Sequence, residues 1–151
     1  MKKGRSKAPA AFWDTSGIIP LCCQQPQSAR ARQALRAHSE IIVWWATPVE
    51  AISAFCRLHR QGLFSTPQLK QSEAAIEYLR QRWHEIQPLI ELQQEAERIL
   101  HLHALRAADA LQLAAALIWC HQRPRGHHFI SADSHLLRAA DRESFAILDL
   151  N

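Results

Sequence analysis

Four acidic residues of this 151-residue chain stand where a predicted strand ends or a predicted helix begins. Asp14 follows the apolar stretch AAFW, Glu50 ends the helix-opening segment TPVE, and Asp133 follows HHFISA. Asp109 lies early in the alanine-rich stretch RAADALQLAAAL. Two carboxylates about 4 Å apart repel each other by about 4 kcal/mol at an effective dielectric constant of about 20. If the four acids converge, they therefore need a cation.

The ligand chemistry of these acids favours a hard divalent ion. Carboxylate oxygens with room for water suit Mg²⁺, or Mn²⁺, better than zinc. Such an ion activates water and neutralises charge on a phosphodiester during an in-line displacement. The four cysteines show no CxxC pair and no zinc-site spacing, so we interpret them as structural thiols.

Each acid also has a purely structural interpretation. Glu50 can close a capping box by reaching back to the amide of Thr47. Asp14 and Asp133 can cap the helices that follow them, and Asp109 can complement a helix dipole. When the four acids are considered together, a purely structural interpretation is weaker, because three of the five aspartates in the chain occupy these positions.

The elements that would position the acids alternate along the chain. Helical patterns separate apolar strand candidates, which lie at 10–13, 41–46, 85–92, 127–132 and 145–150. Thr47 and Thr66, each followed by proline, are predicted to cap two of the helices. Pro88 places the weak third strand at a sheet edge. We predict an α/β fold: a three-layer α/β/α sandwich with a mostly parallel central sheet of about five strands.

Parallel strands end at one edge of their sheet, where ligands bind. This topology brings Asp14, Glu50 and Asp133 to the same edge, whereas the position of Asp109 does not follow from it. The length of 151 residues predicts a single domain at 10–151, preceded by a basic flexible arm at 1–9, and the hydrophobic fraction of 48% predicts that the chain folds unaided.

The composition of the chain limits the cellular locations and the kinds of partner that are expected. No apolar stretch approaches the roughly 20 residues of a membrane helix. Asp14 interrupts the only signal-like stretch, so a cytoplasmic protein without a membrane partner is expected. The net charge of +4 permits a nucleic-acid partner without requiring one.

Four segments in order, AFWDTSGIIP, TPVEAISAFCRLHRQGLFS, LRAADALQLAAAL and FISADSHLLRAA, resemble the PIN-domain ribonucleases, particularly the VapC-like toxins of toxin–antitoxin systems. The resemblance extends over 11–150. It rests on the order and spacing of the four segments, since none is specific alone. By this resemblance, Asp14, Glu50, Asp109 and Asp133 match the metal-binding acids of the family.

The resemblance also assigns residues around the acids. Ser16 matches a hydroxyl that the family keeps near the metal, and Ser131 stands where threonine is more common. Arg57, Arg106 and Arg138 are candidates to steer an RNA backbone.

The activity implied by the resemblance is that of a Mg²⁺-dependent endoribonuclease, with Mn²⁺ as a substitute. The family further implies a cognate antitoxin that blocks the acids, and a homodimer. A PIN-like module that binds RNA or protein without cutting is the alternative. An aspartyl-phosphate phosphatase is disfavoured, because Ser16 stands where that chemistry normally has a second acid.

Overall fold

The computed structural model describes residues 9–151, so residues 1–8 of the predicted arm lie outside the described residues. The described chain forms five strands and seven helices, in the alternating order that the sequence predicts. They are β1 (Ala10–Trp13), α1 (Thr15–Cys22), α2 (Ser28–Ala37), β2 (Glu40–Trp44), α3 (Thr47–Arg60), α4 (Thr66–Arg80), β3 (His84–Ile86), α5 (Ile90–Leu102), α6 (Ala107–Trp119), β4 (His128–Ser131), α7 (Ser134–Arg142) and β5 (Ala146–Asp149).

The strands form one sheet in the order β3-β2-β1-β4-β5. Every neighbouring pair is parallel, so the sheet of residues 9–151 is wholly parallel rather than mostly so. In the central strand, Phe12 pairs with Ile42 of β2 on one side and with Phe129 of β4 on the other. Because all strands run in the same direction, their carboxyl ends share one edge of the sheet.

Helices cover both faces of the sheet. Helices α1 to α4 pack on one face, where Trp13 and Ile18 are fully buried. Helices α5 to α7 pack on the other face, where Phe12 and Leu113 are fully buried. Successive side chains of a strand point to opposite faces, which is why Phe12 and Trp13 join different clusters. The predicted three-layer sandwich is confirmed.

The longest apolar stretches of the sequence belong to the interior of this sandwich. IIVW lies in β2, and LAAALIW ends α6. Among residues 9–151, no helix has the length and apolar character needed to cross a membrane. Cys22 and Cys120 are buried free thiols, in agreement with the structural role predicted for them.

The third strand is shorter than predicted. The sequence pattern indicates a strand over 85–92, but β3 ends at Ile86 and α5 already begins at Ile90. Pro88 has no N–H with which to extend the ladder, so the strand stops before it. The predicted position at a sheet edge is confirmed.

Both predicted threonine caps are wrong. Ser65 caps α4 and forms a capping box with Gln68, while Thr66 is already helical. Thr47 is the first residue of α3, and its hydroxyl is buried without a partner among residues 9–151. A capping side chain needs an extended backbone ahead of the first turn. Ser65 has one, with ψ 164°, whereas Ala46, which precedes Thr47, is helical with ψ −3°.

Gly17 allows α1 to approach β4 closely. A β-carbon added to Gly17 would lie 3.2 Å from the carbonyl oxygen of Ile130 and 3.4 Å from the ring of Trp13. The same Ile130 oxygen accepts a hydrogen bond of 3.2 Å from the Asp14 N–H. The end of β1, the start of α1 and the end of β4 are therefore held together at Gly17.

We expect Gly17→Ala to lower the free energy of unfolding by about 1 kcal/mol, measured by urea denaturation. Alanine normally stabilises a helix relative to glycine by up to about 1 kcal/mol, but overpacking costs roughly 1–3 kcal/mol. The Ile130 carbonyl oxygen cannot move away from the added methyl group without weakening the hydrogen bond that it accepts from the Asp14 N–H. Ala29→Gly, at an exposed position of α2, calibrates helix propensity alone. A stabilised Gly17→Ala protein would contradict the tight contact.

Candidate active site

The order of the strands creates a crevice between β1 and β4. The strands β2 and β3 follow β1 on one side of it in the sheet, whereas β4 and β5 lie on its other side. The strand order therefore reverses between β1 and β4. Crevices at such a reversal, outside the carboxyl ends of the strands, are where ligands bind in parallel sheets. Asp14 follows β1 and Asp133 follows β4 by two residues. The two acids therefore lie at the two sides of this crevice.

Asp14 is a buried carboxylate at this crevice, only 5% exposed. It caps α1 as predicted, accepting a hydrogen bond of 3.3 Å from the Gly17 N–H. Ser16 Oγ lies 2.9 and 3.1 Å from its two oxygens. Burial raises the pKa of Asp14 to about 7, and the charge of Asp133 adds to the increase, while hydrogen bonds from Ser16 and Ser131 oppose it.

Two serine hydroxyls connect the loops that carry Asp14 and Asp133. The oxygens of Ser16 and Ser131 lie 3.1 Å apart. Ser16 Oγ accepts from the Ala132 N–H at 2.9 Å, and Ser131 Oγ accepts from the Asp133 N–H at 2.9 Å. The structure thus brings both predicted serines next to the acids.

Asp133 also caps its helix, as predicted. Its Oδ1 accepts from the N–H groups of His135 and Leu136, at 2.8 and 3.1 Å. One carboxylate oxygen is therefore committed to α7. The cap and a role in ligand binding are compatible, because a carboxylate has a second oxygen and about four lone-pair sites.

Asp109 meets Asp133 in a cavity of about 570 Å³, which Arg106 and His135 also line. Asp109 stands in the first turn of α6 and is half-buried. Burial and then the charge of Asp133 raise the pKa of Asp109, whereas Arg106 and His135 lower it. The strand rule left the position of Asp109 open, and the tertiary structure places it beside Asp133.

Glu50 is not part of a capping box, so that prediction is wrong. Its Oε2 accepts from Thr15 Oγ1 at 2.5 Å and from Gln112 Nε2 at 2.9 Å. Gln112 also donates to Thr15 at 2.8 Å. Thr15 is adjacent to Asp14, and Gln112 lies about one helical turn after Asp109. Glu50 is thereby tied to the two elements that carry other acids.

Thr15, Gln112 and His135 contribute to the site but were missed in the sequence. Gln112 is 2% exposed within the apolar helix α6, and its Oε1 is buried with no partner in the part of the chain that the structure describes. A lone amide in such an apolar stretch is a signal that a polar partner lies across the interface. No comparable local signal distinguishes Thr15 or His135.

Two of the three candidate arginines, Arg57 and Arg106, lie in different places. Arg106 faces the cavity with Asp109 and Asp133. Arg57 lines a separate groove of about 230 Å³ together with Ser16 and Ala132. Arg57 and Arg106 thus line different cavities.

The donor set fits a hard cation held largely through water. Asp14, Asp133, Asp109 and Glu50 offer only oxygen atoms, and the raised pKa values of Asp14 and Asp109 reflect burial and mutual repulsion that a cation would relieve. Among residues 9–151, no three His, Cys, Asp or Glu side chains are grouped so as to hold a metal. Mg²⁺ usually keeps several waters and binds through one or two carboxylates, so a donor set made only of oxygen atoms suits it better than zinc.

No protein-family model matches the sequence, and no curated protein matches it. Among solved structures, the chain is similar to one in the structure of FitAB bound to the IR36 DNA fragment. The TM-score is 0.62, with 18% identity, covering 93% of this chain and 94% of that chain. This chain has the PIN-like fold. It is also similar to a chain in the crystal structure of FitAcB from Neisseria gonorrhoeae, with a TM-score of 0.59 and 17% identity, covering 93% and 97% of the two chains.

In this PIN-like fold, three of the four predicted acids are linked by charge. Asp133 acts on the pKa of both Asp14 and Asp109. Glu50 is connected to the same region through Thr15 and Gln112. Their roles as metal ligands remain predictions.

We predict that Asp14→Asn stabilises the metal-free protein at pH 8. The pKa of Asp14 rises from 3.8 to about 7 on folding, so the folded state holds a proton that the unfolded state releases between these values. Wild-type stability therefore falls as pH rises from about 4 to about 7. The shift corresponds to at most about 4 kcal/mol.

This gain is measured by urea denaturation in chelator at pH 5 and pH 8. The advantage of Asp14→Asn is expected to shrink at pH 5, where the folded carboxyl is protonated. Asp141→Asn, at an exposed position of α7, is the matched control and should change stability little. An Asp14→Asn protein with the same pH dependence as wild type would contradict a protonated, buried Asp14.

A double-mutant cycle of Glu50→Gln with Gln112→Leu is expected to give a coupling of about 1–2 kcal/mol in unfolding free energy. A hydrogen bond to a charged group typically contributes roughly that much. Glu77→Gln with Gln112→Leu is the control cycle, since Glu77 is exposed on α4. Additive effects of Glu50 and Gln112 would show that their contact contributes nothing.

Proposed function

We propose that this chain is a Mg²⁺- or Mn²⁺-dependent endoribonuclease that acts in the cytoplasm as the toxin of a toxin–antitoxin pair. The observation that carries the proposal is the placement of three acids at the crevice of a PIN-like fold: Asp109 and Asp133 line one cavity, and the Ser16–Ser131 contact connects the Asp133 loop to Asp14. Acids that serve only as helix caps gain nothing from lying close together, because their mutual repulsion destabilises the folded state.

The residues of the chain have distinct roles in this proposal. Asp14, Asp133, Asp109 and Glu50 would hold the ion, which when bound activates water and neutralises charge on the phosphodiester. Ser16 and Ser131 keep the Asp14 and Asp133 loops in register. Thr15 and Gln112 fix Glu50 through one of its oxygens. The other carboxylate oxygens remain available to orient water and accept its proton.

A protein partner is part of the proposal. The fold similarity to chains of FitAB and FitAcB supports the antitoxin that the sequence resemblance implies. An antitoxin segment that carries an arginine would neutralise the acids of the crevice and so block RNA. A homodimer belongs to the same expectation.

One observation favours a second function, a PIN-like module that binds RNA or protein without cutting it. Among the residues that the structure describes, the acids are not grouped as a ready metal site. In that case Asp14 and Asp133 serve as helix caps, a role that both perform. Binding without cleavage separates this alternative from the nuclease.

Purified, antitoxin-free protein is expected to cleave a labelled mixed RNA pool in Mg²⁺ or Mn²⁺ but not in chelator. Asp14→Asn should lower the rate by about a hundredfold or more, because a buried carboxylate of the acid group is lost. Asp141→Asn is expected to keep the activity, since that exposed carboxylate lies outside the acid group.

The two functions predict different results in the same assay. Cleavage that survives Asp14→Asn would point to a contaminating nuclease and contradict the proposal. RNA binding with no cleavage in either metal, by protein shown to be folded, would establish the non-catalytic module instead.

A further inference from the structure

A second cavity, of about 220 Å³, adjoins the acid-lined cavity. The two cavities share Ala104, Leu105 and His135 in their walls. Beyond this shared wall, the second cavity is lined by Arg138 and Arg142 of α7. We call this cavity the basic groove. An anionic and a cationic surface therefore lie side by side along one continuous path.

The charges of the two arginines of the basic groove are not neutralised by any carboxylate of the described residues. They are four residues apart on α7, so they lie on one face of the helix, and both are exposed. Within residues 9–151, neither arginine forms an ion pair with an acid. The nearby acid Glu143 is already engaged by Arg98 and His103.

His135 connects the basic groove to the acids. Its Nδ1 lies 2.9 Å from Arg138 Nη2, and the N–H of His135 donates to Asp133 Oδ1 at 2.8 Å. The ring stands in the wall common to both cavities, next to Leu105. A ring and an apolar side chain beside two arginines offer stacking for a base together with charge for phosphate.

We infer that Arg138 and Arg142 bind phosphate groups of single-stranded RNA next to the bond cleaved at the acids, with His135 under the intervening nucleotide. This inference rests on the proposed ribonuclease function and specifies its substrate path. The guanidinium fork matches the oxygens of phosphate in a bidentate manner. Among anionic partners, RNA is favoured over an acidic peptide, because the groove pairs its charges with a ring surface.

The test measures the binding of a short labelled single-stranded RNA to the full chain in chelator. Fluorescence anisotropy monitors the binding at several salt concentrations. We expect the Arg138→Gln/Arg142→Gln protein to bind about tenfold more weakly. The slope of log K against log salt should fall by about 1.4, which is two contacts at about 0.7 each. Arg30→Gln/Arg32→Gln removes the same charge from exposed sites on α2, across the sheet, and should leave the slope unchanged.

A charge-preserving pair tests the geometry. Arg138→Lys/Arg142→Lys keeps the positive charge but loses the bidentate fork, so it should retain the salt slope and bind more weakly than wild type. Circular dichroism and thermal unfolding verify that each variant is folded, which substitutions at exposed positions should permit.

The outcomes separate this inference from the proposed function. One outcome is that wild-type protein binds and cleaves RNA while the Arg→Gln pairs on α7 and α2 bind RNA with equal affinity and equal salt slope. In that case the basic groove does not bind the RNA, but the proposed nuclease function is unaffected. If folded wild type neither binds nor cleaves RNA, both proposals fail. If polyglutamate competes for the groove and binds more tightly than RNA, the inference is overturned in favour of an acidic protein segment.

Discussion

The parallel pairing of β1 with β4 is the constraint on which the rest of the site depends. It joins strands far apart in the chain and sets the loops after them side by side. The hydrogen bond from the Asp14 N–H to the Ile130 oxygen and the small size of Gly17 set the distance between those loops. At that distance Ser16 reaches Ser131. A bulkier residue at 17 would separate the acids as well as the strands.

The acids impose an electrostatic penalty that the remainder of the fold must offset. Asp14 is buried and is affected by the charge of Asp133, and Asp109 is affected by the same charge. Two apolar clusters, one on each face of the sheet, supply the stability that makes this arrangement tolerable. Residues that are unfavourable for folding and are kept close together are typical of a functional site.

The starts of three helices arrange the groups around the acids. The start of α6 carries Asp109 and Arg106, and the start of α7 carries His135 and presents its arginines further along. The start of α3 carries Glu50, which side chains from α1 and α6 hold in place. Acidic and basic surfaces thus lie next to each other because α6 and α7 begin at the same edge of the sheet.

The sequence by itself determined the α/β sandwich, the five strands and the positions of Asp14, Glu50 and Asp133 at strand or helix ends. These features follow from hydrophobic periodicity and turn residues, which act over a few neighbouring residues. Only the tertiary structure decided that Glu50 binds Gln112, 62 residues away, instead of capping its own helix. It also decided that Asp109 lies beside Asp133. The reason is physical: a polar side chain takes the partner that packing brings near it, and packing depends on residues distant in the chain.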